Sequence, residues 1–90
     1  MDITKSVKEI KTSQVYLHIN GVDIPIYNNF RYIVGELISC DGFFTIPHIS
    51  DNPTVKKMIE AGLVQHNYRG CYATQLLRDN EEEIFRILEE

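Results

Sequence analysis

The sequence predicts an α+β fold: an N-terminal β-hairpin over residues 15–26, then a body over residues 30–88 running helix, short strand, helix, β-hairpin, C-terminal helix. Three observations carry this reading. Val15-Tyr16-Leu17-His18-Ile19 and Val22-Asp23-Ile24-Pro25-Ile26 are alternating runs around Asn20-Gly21, the pair best able to supply φ > 0 at both central turn positions. Phe30, Ile33, Val34, Leu37 and Ile38 follow the i, i+3, i+4, i+7, i+8 stripe of a helix packed on a core. Asn52-Pro53 then opens a second helix that Gly62 closes.

Composition sets the frame for these elements. A chain of 90 residues, 43% hydrophobic and 24% charged, is that of an ordinary globular protein, long enough for one domain over 1–90 and one modest core. No apolar run approaches the roughly 20 residues of a membrane span, and Met1-Asp2-Ile3-Thr4-Lys5 lacks the apolar stretch of a secretory signal. Cys40 and Cys71 are too few for a disulfide framework and too distant for a CxxC motif. The expectation is a cytoplasmic protein with reduced thiols and no membrane partner.

Ile3, Val7 and Ile10, spaced by four and three, predict a short amphipathic helix over 1–13 that breaks at Thr12-Ser13. In the hairpin, a two-residue turn opposes Ile19 to Val22, Leu17 to Ile24 and Val15 to Ile26, which gathers every apolar side chain on one face. The other face opposes Tyr16 to Pro25 and His18 to Asp23. Pro25 cannot donate to a ladder, so its strand belongs at a sheet edge or presents that N–H position outward. His18 and Asp23 read as a cross-strand polar pair, because no third member or nucleophile accompanies them.

Asn28 or Asn29 caps the first helix, and Asp41-Gly42 ends it. Gly35 within it predicts close packing against a neighbouring backbone. Phe43-Phe44-Thr45-Ile46 is a short strand stopped by Pro47. In the second helix, Pro53 to about Ala61, Val55, Met58 and Ile59 form the buried stripe, while Thr54, Lys56, Lys57 and Glu60 face away or flank it. Val64–Tyr68 and Cys71–Leu76 make a second hairpin around Arg69-Gly70. Asp79-Asn80 before Glu81-Glu82-Glu83 predicts the start of the last helix, with Asn80 and Glu83 as a capping box and the acids at the positive end of its dipole.

Charge is distributed unevenly. The net charge is −4, yet between residues 53 and 78 Lys56, Lys57, Arg69 and Arg78 face only Glu60, and from Asp79 onward six acids face Arg86 alone. A mildly basic middle therefore adjoins an acidic end.

From Phe30 to Leu88 the element order resembles a winged-helix domain, with Met58-Ile59-Glu60-Ala61-Gly62-Leu63-Val64 as the local match, followed by a Gly-containing turn and Tyr72-Ala73-Thr74. The resemblance implies nucleic-acid binding, with Thr54, Lys56 and Lys57 on the recognition helix and His66, Tyr68 and Arg69 on or near the wing. Two departures limit it. Residues 47–51 leave space for one helical turn rather than the complete extra helix of a helix-turn-helix. The recognition helix also lacks the Arg, Asn and Gln that read purines bidentately, so its lysines serve phosphates rather than bases.

Cys40, His48, His66 and Cys71 lack the short paired spacings of a zinc site, and no phosphate loop, metalloprotease helix or dinucleotide fingerprint occurs. The sequence thus predicts no catalytic residue, metal or cofactor. Two functions fit: a regulatory nucleic-acid binder, or a protein-binding inhibitor or adaptor of viral or mobile-element type acting through a hairpin edge or the acidic helix.

Overall fold

The computed structural model describes residues 3–9, 13–39 and 49–89. Asn20 and Gly21 take φ of 52° and 77°, a turn whose twist matches that of the strands it joins. Strands β2 (Ser13–Ile19) and β3 (Val22–Ile26) pair in the expected register, Ile19 with Val22, Leu17 with Ile24 and Val15 with Ile26. Leu17, Ile19 and Ile24 are fully buried on the shared face.

The segment expected to be an N-terminal helix is instead strand β1 (Ile3–Glu9), antiparallel to β2. An interval of four fits a strand as well as a helix, and here the period of two wins: Ile3, Lys5 and Val7 oppose Ile19, Leu17 and Val15, while Thr4, Ser6 and Lys8 take the other face. The outer edge of β2 offers a row of N–H and C=O groups that an isolated short helix could not satisfy. The sheet order is β1-β2-β3, so Pro25 does lie on an edge strand. Counting from the hydrogen-bonded Ile19/Val22 pair, Tyr16/Pro25 is a non-hydrogen-bonded pair, and both backbone groups of Pro25 point off the ladder.

Helix α2 (Pro53–Glu60) packs along that edge. The Thr54 hydroxyl donates to the Pro25 carbonyl at 2.6 Å, and the Asn20 side-chain amide donates to the Ala61 carbonyl at 2.8 Å. One bond holds each end of the helix to the hairpin. Asn52 caps α2, its Oδ1 accepting from the N–H groups of Thr54 and Val55. At the other end Leu63 N–H reaches Met58 O, Gly62 N–H reaches Ile59 O, and Gly62 adopts φ of 83°, a Schellman ending at the glycine expected to close the helix.

Helix α1 (Phe30–Ser39) buries Phe30, Ile33, Val34 and Leu37, with Asn29 at its N-cap position. Gly35 is exposed, and a Cβ there would meet nothing within 4 Å, so the close packing expected of it is absent. The expected strand at 43–46 and the helix end at Asp41-Gly42 lie outside the described residues. A 3-10 turn at Ile49–Asp51 precedes α2.

Strands β4 (Val64–Asn67) and β5 (Gly70–Ala73) form the second hairpin. It ends at Ala73, not Leu76, because α3 (Gln75–Glu89) starts a turn and a half earlier than Asp79-Asn80. Leu77, Ile84 and Ile87 share one buried helical stripe, and Asn80 bonds back to Leu76 O from within the helix. The capping box is thereby overturned, and no acid stands in the first turn of α3. One cluster of buried side chains draws on both hairpins and all three helices.

Thr54 is the one buried polar residue among the described residues, 1% exposed. Thr54→Val is expected to destabilise the protein by about 1–3 kcal/mol in denaturant unfolding, since it keeps the shape and strands the Pro25 carbonyl; Thr54→Ser, which keeps the hydroxyl, should escape most of that loss. Gly35→Ala should stabilise by about 0.5–1 kcal/mol in the same assay, because the site is helical and open. Burial raises the Cys71 thiol above its ordinary 9.0. The unfolded chain therefore releases this proton first, so the Cys71 contribution is full below about pH 9 and is lost as the pH rises further. Comparing wild type with Cys71→Ala from about pH 8 to about pH 10 should show the steeper decline in wild type.

Candidate nucleic-acid interface

The β4–β5 hairpin is built around a two-residue loop, Tyr68-Arg69, closed by the Asn67/Gly70 pair. This places the turn one residue earlier than Arg69-Gly70. Asn67 Oδ1 accepts from the Arg69 N–H at 2.8 Å and shapes the loop, while Gly70 takes φ of 128°, a value open to glycine. On one face Val64, Cys71 and Ala73 enter the core. On the other, the Tyr72 hydroxyl donates to Gln65 Oε1 across the strands. A core-anchored base thus carries a polar tip, and Tyr68 at that tip is 97% exposed.

Five of the six residues expected to bind are solvent-facing: Lys56 and Lys57 on α2, and His66, Tyr68 and Arg69 on the hairpin that follows. Thr54 is the exception. It turns inward to Pro25 and is unavailable to a ligand, because the carbonyl it satisfies has no ladder partner. Lys57 pairs with Glu60 at 3.1 Å, an exposed contact that solvent screens. A depression lined by Tyr16, Asp23, Pro25, Tyr27, Lys57 and Glu60 separates α2 from the polar face of the sheet and is mixed in sign. Lys56 on α2 and Arg69 at the hairpin tip are both exposed. Arg78, counted in the basic middle, instead donates to the Ile38 carbonyl at the end of α1.

The topology bears on the edges of the 15–26 hairpin, one of the two surfaces named for a protein partner. One edge of that hairpin pairs with β1 and the other lies against α2. The outer edge of the sheet is that of β1.

His66 opposes Cys71 across β4 and β5, while Cys40 and His48 lie outside the described residues. Among the described residues no three metal-ligating side chains gather, and no helix is long and apolar enough to cross a membrane. The polar face of the N-terminal sheet holds what the sequence reading missed. His18 bonds Asp23 as expected, and it also bonds Ser6, 2.6 Å away on β1. Reading Thr4, Ser6 and Lys8 at a period of two would have found this third member; reading them on a helix hid it.

No family model, no curated protein and no solved structure matches this chain.

Proposed function

We propose that the protein is a small cytoplasmic regulator that binds nucleic acid through the β4–β5 tip and the outer face of α2, in the manner of a degenerate winged helix. The supporting observation is Tyr68, 97% exposed on a two-residue loop beside Arg69 and near His66. An aromatic ring held in water with a cation next to it can stack on an unpaired base, while the cation meets the adjoining phosphate. Lys56 and Lys57 add phosphate contacts from α2. With no Arg, Asn or Gln on α2, such binding tracks backbone and stacking rather than sequence.

A protein partner is the second reading. The outer edge of β1, paired to no described strand and carrying Val7 at 49% exposure, favours it, since an extended segment can add to such an edge.

Fluorescence anisotropy against labelled single-stranded and duplex oligonucleotides tests the first reading. Binding should weaken with salt at a log–log slope of about −2 to −3 for three cations, and be lost in Lys56→Glu/Lys57→Glu/Arg69→Glu. Tyr68→Ala should weaken single-strand binding by about 5- to 100-fold. Absence of binding at low salt would overturn the nucleic-acid reading and leave the β1 edge as the surface to probe.

A further inference from the structure

Ser6, His18 and Asp23 stand on three adjacent strands, and their polar atoms form a chain across the outer face of the sheet. His18 is directly opposed by Asp23, whereas Ser6 opposes Tyr16 and reaches His18 on the diagonal. The nitrogens are used in a definite order: Nδ1 meets Asp23 Oδ1, and Nε2 lies 2.6 Å from Ser6 Oγ. A carboxylate only accepts hydrogen bonds, so in the neutral imidazole Nδ1 carries the proton. Nε2 is then a lone pair, and the Ser6 hydroxyl donates to it. This proton arrangement activates a serine oxygen.

We propose that Ser6, His18 and Asp23 form a nucleophilic site that takes the acyl group of small activated esters. Ser6 Oγ attacks the ester carbonyl carbon as its proton passes to His18 Nε2. Collapse of the tetrahedral species breaks the C–O bond, and that proton leaves with the alcohol. Water then attacks the acyl-serine, gives a proton to Nε2, and the Ser6 oxygen recovers it as the carboxylic acid departs. Ester and water become acid and alcohol, with no other reactant. Asp23 is a positioning residue that holds the imidazole in the required tautomer.

A cation and a backbone donor lie in the neighbourhood of Ser6. Residues 15, 17 and 19 of β2 bond to β3, so the inward ladder groups of β1 belong to Thr4, Ser6 and Lys8, and the Val7 N–H points off the outer edge next to Ser6. Lys8 Nζ sits 5.1 Å from the ring centroid of Tyr16, the residue opposite Ser6. A shallow depression lined by Thr4, His18, Asn20 and Gly21 borders the imidazole. The His18 and Asp23 side chains are 32% and 57% exposed, so water is not excluded and the site suits compact, activated esters with slow turnover. The inference shares no residue with the nucleic-acid surface and stands apart from it.

The test is reaction of the full chain with p-nitrophenyl acetate, following p-nitrophenolate release and locating acetyl groups by peptide mass mapping. Wild type should acetylate Ser6 ahead of its lysines and tyrosines. Ser6→Ala should lose that adduct, and His18→Gln should slow it by about 10²-fold or more, with unfolding transitions confirming that each variant is folded. Asp23→Asn should slow it while shifting the His18 nitrogen resonances away from the Nδ1–H tautomer in long-range ¹H–¹⁵N spectra, a change that loss of fold alone would not produce. No Ser6 adduct in wild type would overturn the proposal, as would equal acetylation of Ser6 in Asp23→Asn or His18→Gln. If His18→Gln fails to fold, the wild-type and Asp23→Asn arms decide the matter alone.

Discussion

The Thr54 hydroxyl closes the one contact on which the arrangement of the halves depends. Pro25 interrupts the donor pattern of β3, and the register turns its carbonyl outward, where nothing in the sheet can reach it. Burying that carbonyl without a partner would cost more than a hydrogen bond returns, so α2 must lie close enough for Thr54 to donate. Asn20 fastens the other end, donating to Ala61 from the turn that sets the hairpin register. Once α2 is held along β3, its apolar stripe of Val55 and Met58 is committed to the core, and Lys56 and Lys57 to solvent.

From this placement the rest of the body follows. The Schellman ending of α2 turns the chain through Gly62 and Leu63 into β4, and Thr74 ties back to the same corner, its N–H to Leu63 O and its hydroxyl to Gly62 O. The β4–β5 hairpin is therefore rooted beside the end of α2, and its tip projects into solvent. Helix α3 closes the core, and Arg31 joins it to α1 through an ion pair with Glu89 and a stacked contact over Phe85. The tip and the outer face of the N-terminal sheet are two separate polar surfaces, and they suit different chemistry. At the tip, the exposed Tyr68 ring lies beside Arg69. Across the sheet, three side chains locked by strand spacing offer a proton path.

Much of the fold was legible because local chemistry and burial agreed. Asn20-Gly21 permitted one turn, that turn permitted one register, and the register placed all apolar side chains on one face. Asn52-Pro53 and Gly62 marked α2 through capping rules that act within a few residues. The basic side chains of the candidate interface were legible for the same reason, being exposed positions on elements already located. The misreadings arose where two periods fit one pattern. Ile3 and Val7 satisfy strand and helix alike, and the run after Ala73 held a helical stripe at Leu77, Ile84 and Ile87 that the conspicuous Asp79-Asn80-Glu signal obscured.

The sequence by itself determined the class of fold, the first hairpin down to its paired residues, the limits of α2 and the uneven charge, since each is set by interactions between near neighbours in the chain. Tertiary structure decided what depends on distant partners. It made residues 3–9 a strand because β2 had an edge to fill, turned Thr54 inward because Pro25 had a carbonyl to satisfy, and set Ser6 beside His18 because the diagonal of an antiparallel ladder joins residues twelve apart. No local propensity encodes such contacts; they exist only once the strands have paired.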